Sequence, residues 1–184
     1  MAATFDWNRD TGTATGTPPK GTTRSTGVTD YNWKNTDTYG TAYSSAPITA
    51  GNNSFEIWNF GKFTSGTFNQ ISAGLFAHIT TAFGTGLTLK GTPAGTTGGG
   101  VVYTTPSATA NANLTTDMTS AIAIGSGVAV YFGATGPEVT TMATSQDGSV
   151  DRYTNYLVTQ LQTTASAAAG DTATVTLELQ YNEN

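Results

Sequence analysis

Chemistry at a protein site needs a short list of side chains, and this chain of 184 residues carries few of them. It has one histidine, His78, and no cysteine. A Ser/His/acid nucleophile requires a base that can take a hydroxyl proton near neutral pH, usually histidine. His78 lies among Leu75, Phe76, Ala77 and Ile79 in a predicted strand, and no Gly-x-Ser-x-Gly motif is present, so it reads as a structural or interface histidine. One histidine without cysteine also excludes thiolate metal sites and the usual His-rich zinc sites.

Paired carboxylates could cleave glycosides, but they must flank a sugar cleft at a set separation. The body offers Glu56, Glu138, Asp147, Asp151, Asp171 and Glu178, and nothing in their spacing pairs them. Asp147 and Asp151 fall in Ser145-Gln146-Asp147-Gly148-Ser149-Val150-Asp151-Arg152, where Asp-Gly marks a turn. Asp6-Trp7-Asn8-Arg9-Asp10-Thr11-Gly12 places oxygen ligands at alternate positions, as calcium loops do. An EF-type loop needs glycine sixth and glutamate twelfth, and Thr11 and Thr17 stand there. Gly98-Gly99-Gly100 lacks the Gly-Lys-Ser/Thr that would make it a phosphate loop, and Asn52-Asn53-Ser54 and Asn113-Leu114-Thr115 match the glycosylation pattern by accident. The expectation is a protein that is not an enzyme and holds no metal or cofactor.

Aromatic side chains offer binding chemistry instead. Trp33, Trp58, Tyr103 and Tyr131 could stack on sugars from a sandwich face, which would make a carbohydrate-binding or host-recognition module. Against that stands core packing for Trp58 and interface packing for Trp33. Residues 1–53 contain no leucine, one valine (Val28) and one isoleucine (Ile48), and their large apolar groups are isolated: Phe5, Trp7, Tyr31, Trp33, Tyr39 and Tyr43. Pro18-Pro19 favours an extended path. Residues 1–28 therefore read as an extended N-terminal arm that gains order by laying aromatics into a partner, and residues 29–184 as the folded domain. Trp and Tyr are common interface anchors, so these six aromatics are the partner-binding candidates.

The elements that must position these residues are strands. Threonine accounts for 39 residues and glycine for 22, whereas the net charge is only −5. Abundant β-branched and aromatic residues at low charge favour an ordered β protein over a disordered chain. Phe55–Phe60 and Phe68–Thr80 read as strands, the second bulged near Ser72-Ala73-Gly74. Leu87–Gly91 and Val101-Val102-Tyr103 are short strands, and residues 113–120 could form a helical turn. Ile122, Ile124, Val128, Val130 and Phe132 alternate with small residues, a core strand or a hairpin turning at Gly125-Ser126-Gly127. Tyr153–Gln162 is apolar on both faces, hence central, and Ala173, Val175, Leu177, Leu179 and Tyr181 alternate with polar residues as in a half-buried strand. About eight short strands with Gly- and Thr-rich turns predict an all-β sandwich, jelly-roll-like or immunoglobulin-like.

The mild acidity disfavours nucleic acid as a partner, and no run of about 18 apolar residues spans a membrane. Met1-Ala2-Ala3-Thr4-Phe5-Asp6 lacks the charged start and apolar run of a signal peptide. A polar, Cys-free protein without an export signal fits a virion component assembled in host cytoplasm and released by lysis.

Phe55-Glu56-Ile57-Trp58-Asn59-Phe60-Gly61-Lys62-Phe63, continued by Phe68-Asn69-Gln70-Ile71-Ser72, resembles small virion proteins of tailed bacteriophages, particularly cyanophages. The ending Tyr156–Gln162 followed by Gly170–Leu177 does the same, and the likeness spans roughly residues 30–184. The resemblance implies a capsid decoration (cement) protein, or a related head or tail protein. Such a protein would sit on the capsid exterior, self-associate as a homotrimer and bridge major capsid proteins, with no catalytic residues to carry over.

Overall fold

The computed structural model describes residues 2–29, 31–78, 83–91, 102–118, 128–138, 142–168 and 176–184. Its strands are β1 (Phe5–Thr15), β2 (Lys20–Thr26), β3 (Ile57–Phe63), β4 (Gln70–His78), β5 (Leu87–Gly91) and β6 (Thr116–Asp117). They continue with β7 (Val128–Val130), β8 (Phe132–Gly133), β9 (Ser145–Asp147), β10 (Arg152–Thr154), β11 (Leu157–Thr163) and β12 (Leu177–Glu183). The described helical structure is one 3₁₀ turn, Tyr43–Ser45. The first sheet runs β2-β1-β3-β11-β5-β6, with β10 beside β3 and β8 beside β10. The second runs β12-β4-β7, with β9 also on β4. All pairings are antiparallel, and the two sheets pack as the expected all-β sandwich.

Alternation along β3 and β11 builds two cores on opposite faces of the first sheet. Phe63 and Leu157 face the second sheet and pack with Phe68, Ile71, Phe76, Val130 and Phe132. Trp58, Phe60 and Val158 face the other way and pack with Tyr103, Leu114 and Tyr156. Both faces of β11 are thus apolar because both are covered, which is why this strand lacks the half-and-half pattern of β12. A third cluster, Phe83, Leu89, Met118 and Leu161, closes the far end with Trp33 and Ile48 against it.

The expected N-terminal arm is corrected by the register. Residues 5–26 are a hairpin of the main sheet: Asn8 pairs with Thr26, and Phe5 through Asp10 pair with Phe63 back through Trp58. The Pro18-Pro19 stretch is its turn, with a cis bond at Thr17–Pro18. The segment has no aliphatic core of its own because it borrows one from β3 and β4. Phe5 lies 5.0 Å from the Phe63 ring, and Trp7 stacks on Phe76 at 5.8 Å. Gly61, opposite Trp7, leaves the room: a Cβ there would meet the Phe5 ring at 2.4 Å. No boundary therefore separates residues 1–28 from 29–184 as arm and domain.

The bulge expected near residue 73 is present. Three steps along β4, from Leu75 to Ser72, match two along β12, from Gln180 to Asn182, and Ala73 takes φ +51°. Residues 102 and 103 are not a strand, residues 116–117 are β6 and not a helical turn, and residues 31–48 form an irregular strap. The readings on Val101, residues 119–127 and 171–175 fall outside the described residues.

Deleting residues 1–28 is expected to abolish the cooperative unfolding transition, because it strips β3 of a neighbour and uncovers Phe63 and Phe76. Thermal melts followed by circular dichroism check this, and a truncated chain that melts as sharply as the whole one would contradict the pairing.

Candidate functional site

The most polar part of the interior surrounds the middle of β1. Strand alternation sends Trp7 and Arg9 toward the second sheet and Asn8 and Asp10 to the opposite face. Asn8, Arg9 and Asp10 are all buried. The alternate oxygens that resemble a calcium loop are therefore the two-residue period of a strand. Asp10 accepts from Arg24 Nε at 2.7 Å and Nη2 at 2.8 Å, and also from the Tyr156 hydroxyl. Arg24, its cross-strand partner, also donates to Glu138 at 3.0 Å and lies 4.7 Å over the Phe60 ring. Burial works against the Arg24 charge, but its hydrogen bond and attraction to Asp10, with Glu138 behind, outweigh burial and hold its pKa above the ordinary value.

On the inner face Arg9, 1% exposed, meets Asp37 of the strap at 3.3 Å. Asp37 also accepts the Gly12 amide at 2.6 Å, while the Tyr103 hydroxyl donates to the Gly12 carbonyl at 2.7 Å. Gly12 is the β1 bulge: its φ is +85°, and a Cβ would sit 2.2 Å from Thr22 Oγ1. The strap on one side and the 102–114 loop on the other thus grip the same residue. Burial pushes the Asp37 carboxyl up and the Arg9 guanidinium down, in each case against the pull of the other.

Two further side chains tie the loop to the sheet. Glu56 accepts from Asn111 Nδ2 at 2.6 Å, and burial raises its pKa against that bond. Gln160 Nε2 lies 3.1, 3.2 and 2.9 Å from the carbonyls of Ser54, Ser107 and Thr109. Polar groups buried this deeply must find partners, and here they are the Asn111 side chain for Glu56 and backbone carbonyls on either side for Gln160.

The sequence candidates land as follows. Phe5 and Trp7 pack inside the sandwich, Trp7 meets Tyr31 edge-on at 5.9 Å, and Trp33 donates to Thr159 at 3.1 Å with Phe83 edge-on. These four serve the chain's own fold, which corrects their reading as anchors laid into a partner. Tyr39 is half-buried, and Tyr43 is 48% exposed on the 3₁₀ turn. Of the sugar-stacking candidates, Trp58 and Tyr103 are buried and cannot form a platform, Trp33 is committed to Thr159 and Phe83, and Tyr131 is half-buried. Asp171 lies outside the described residues, and Glu178 sits half-buried on β12. The side chain of His78, at the end of β4, is likewise not described.

Asp147 and Asp151 are poor catalytic acids. Asp147 accepts from the Ser149 amide at 2.9 Å and from Arg152 at 2.8 Å, and these bonds hold its pKa down to about 2. Asp151 is held low by Lys62 at 2.8 Å and the Ser65 amide at 2.8 Å. A general acid needs the opposite shift. Asp147, with Asn69, Ser149 and Asn184, lines an open depression of about 420 Å³. Sequence reasoning met Asp10 only as part of the calcium-like run and missed Asp37 and Gln160; buried partners, not spacing, mark their roles.

Asp37→Ala should cost about 3–5 kcal/mol, since it leaves Arg9 buried without its counter-charge, whereas Arg9→Met with Asp37→Leu should recover most of the loss. Urea denaturation of the three chains checks this. The pH dependence has two limbs. Glu56 and Asp37 titrate higher folded than unfolded, so protonating them adds stability as pH falls through their folded pKa. Asp147 and Asp151 titrate lower folded than unfolded, so their contribution is lost between the ordinary carboxylate range and about pH 2. Stability should therefore peak below neutral pH, and Asp147→Asn should flatten the acid limb in melts from pH 6 to 2.

No family model, no curated protein and no solved structure matches this chain.

Proposed function

We propose that the chain is a structural protein of a phage virion, a capsid decoration protein that binds the outer surface of the head and bridges major capsid proteins as a homotrimer. The observation that carries this reading is how the chain uses its charges. Arg9, Arg24, Lys62, Lys90 and Arg152 all face carboxylates of the same chain, and the buried Lys34 donates to the Thr41 carbonyl. Among the described residues the one of the seven cations that faces no such group is Lys20, exposed at the start of β2. Such a surface, rich in threonine and glycine, offers little to a polyanion and presents neutral hydroxyls and backbone. It suits contacts that are individually weak and gain strength from many copies on a repeating lattice.

With the hairpin part of the sheet, docking falls to the folded body. Tyr43, and Val102 at 59% exposed, are its prominent apolar side chains on the strap and the loop, the two segments that meet at Gly12.

Quantitative mass spectrometry of purified particles of the encoding virus should find hundreds of copies per particle. A handful of copies, or none, overturns the assignment. Sedimentation of the isolated chain should give about three times its 19.0 kDa, and Val102→Ala should lower occupancy on particles without changing the melting temperature.

A further inference from the structure

Deep in the sandwich, beside the Arg9–Asp37 pair, several polar atoms have no partner among the described residues. They are Arg9 Nε, both amide atoms of Asn59 and the Tyr31 hydroxyl. Three observations bring them together. Arg9 and Asn59 are direct cross-strand partners of β1 and β3, so their side chains leave the sheet on the same face with Cβ atoms about 5 Å apart. Tyr31 covers that face, since its ring meets Trp7, two residues before Arg9, at 5.9 Å. Its hydroxyl also lies within electrostatic range of the Arg9 guanidinium. Arg9 is 1% exposed and Asn59 is fully buried, so bulk solvent does not serve them.

We propose that Arg9, Asn59 and Tyr31 line an internal hydration site, closed by the 31–37 part of the strap, in which bound water links all three side chains. The unpartnered set selects the occupant. Arg9 Nε and the Asn59 NH₂ can only donate, the Asn59 oxygen can only accept, and the Tyr31 hydroxyl can do either. An anion would satisfy the donors but face the Asn59 oxygen, with the Asp37 carboxylate already at Arg9. A cation would face the guanidinium. Water donates and accepts, and a buried water typically makes about three such bonds. The site also accounts for a neutral amide standing opposite an arginine in the middle of a sheet. Asn59 carries the polarity of the Arg9 pair toward β11, where Leu157 restores the apolar core.

Tyr31→Phe and Asn59→Leu in the full chain, together with a high-resolution crystal structure soaked in bromide, test the site. The hydrated site predicts water density within hydrogen-bond distance of Arg9 Nε, Asn59 and the Tyr31 hydroxyl. It predicts a folding constant about fivefold lower for Tyr31→Phe, the worth of one net hydrogen bond, and a larger loss for Asn59→Leu. Tyr31→Phe removes a single oxygen and leaves the ring on Trp7, so it folds whatever becomes of the bulkier change. Unchanged or raised stability in Tyr31→Phe means the atoms are dry and overturns the proposal. A bromide peak against Arg9 overturns it in favour of an anion site.

Discussion

Arg9 and Asp10 stand next to each other in a strand that has neighbours on both sides and is covered on both faces. A strand's period of two sends their charges in opposite directions, so this short stretch needs a counter-charge above the sheet and another below it. Asp37 comes from the strap for one, and Arg24 with Glu138 and Tyr156 for the other. Buried pairs of this kind add little net stability over an apolar pair of the same shape, yet are costly to break. Their effect is selective. A slip of β1 by one residue in one direction would place Arg9 opposite Arg24, and in the other it would leave Asp37 facing Asp10, so only one register satisfies both faces.

The same need explains why segments without regular structure are held so firmly. The strap and the 102–114 loop carry backbone groups with no sheet to pair with. Gln160 gives the Ser107 and Thr109 carbonyls partners from beneath, Glu56 holds the Asn111 side chain, Asp37 ties the strap to the Gly12 amide, and Tyr103 packs its ring on both Trp58 and Tyr156 while its hydroxyl donates to the Gly12 carbonyl. The loops thus form the outer wall of the second core. Without them Trp58 and Phe60 would be a large apolar patch on an open sheet.

Legibility in the sequence follows from how local each signal is. Leu87–Gly91 and the bulge at Ala73 could be read because alternation and a small-residue interruption lie within a few residues. The central place of β11 could be read from Leu157, Val158 and Leu161 on two faces. The N-terminal hairpin could not. Its apolar partners, Phe63 and Phe76 among them, lie some fifty residues or more downstream, and isolated aromatics look the same whether they enter their own core or another's. Trp58 and Tyr103 were ambiguous for the same reason, since the loop that hides them has no periodicity. The structural roles of Asp10, Asp37 and Glu56 could not be read, because a buried carboxylate and a solvated one are identical until the fold brings an arginine or an amide beside them.

The first and last strands also meet. Glu183 of β12 accepts the Ala3 amide at 2.9 Å, Asn184 exchanges backbone bonds with Gln70, and Tyr181 lies 4.8 Å from Phe63. The second sheet gains its β12 edge, and β3 gains β11, from residues about a hundred positions later in each case. Early pairing is confined to the β1–β2 hairpin and its contact with β3, which leaves Phe63 and Phe76 waiting for partners. A topology so dominated by distant pairings folds slowly. On the ribosome the hairpin can form while the sandwich is open, and the sandwich closes only once β11 and β12 have been made.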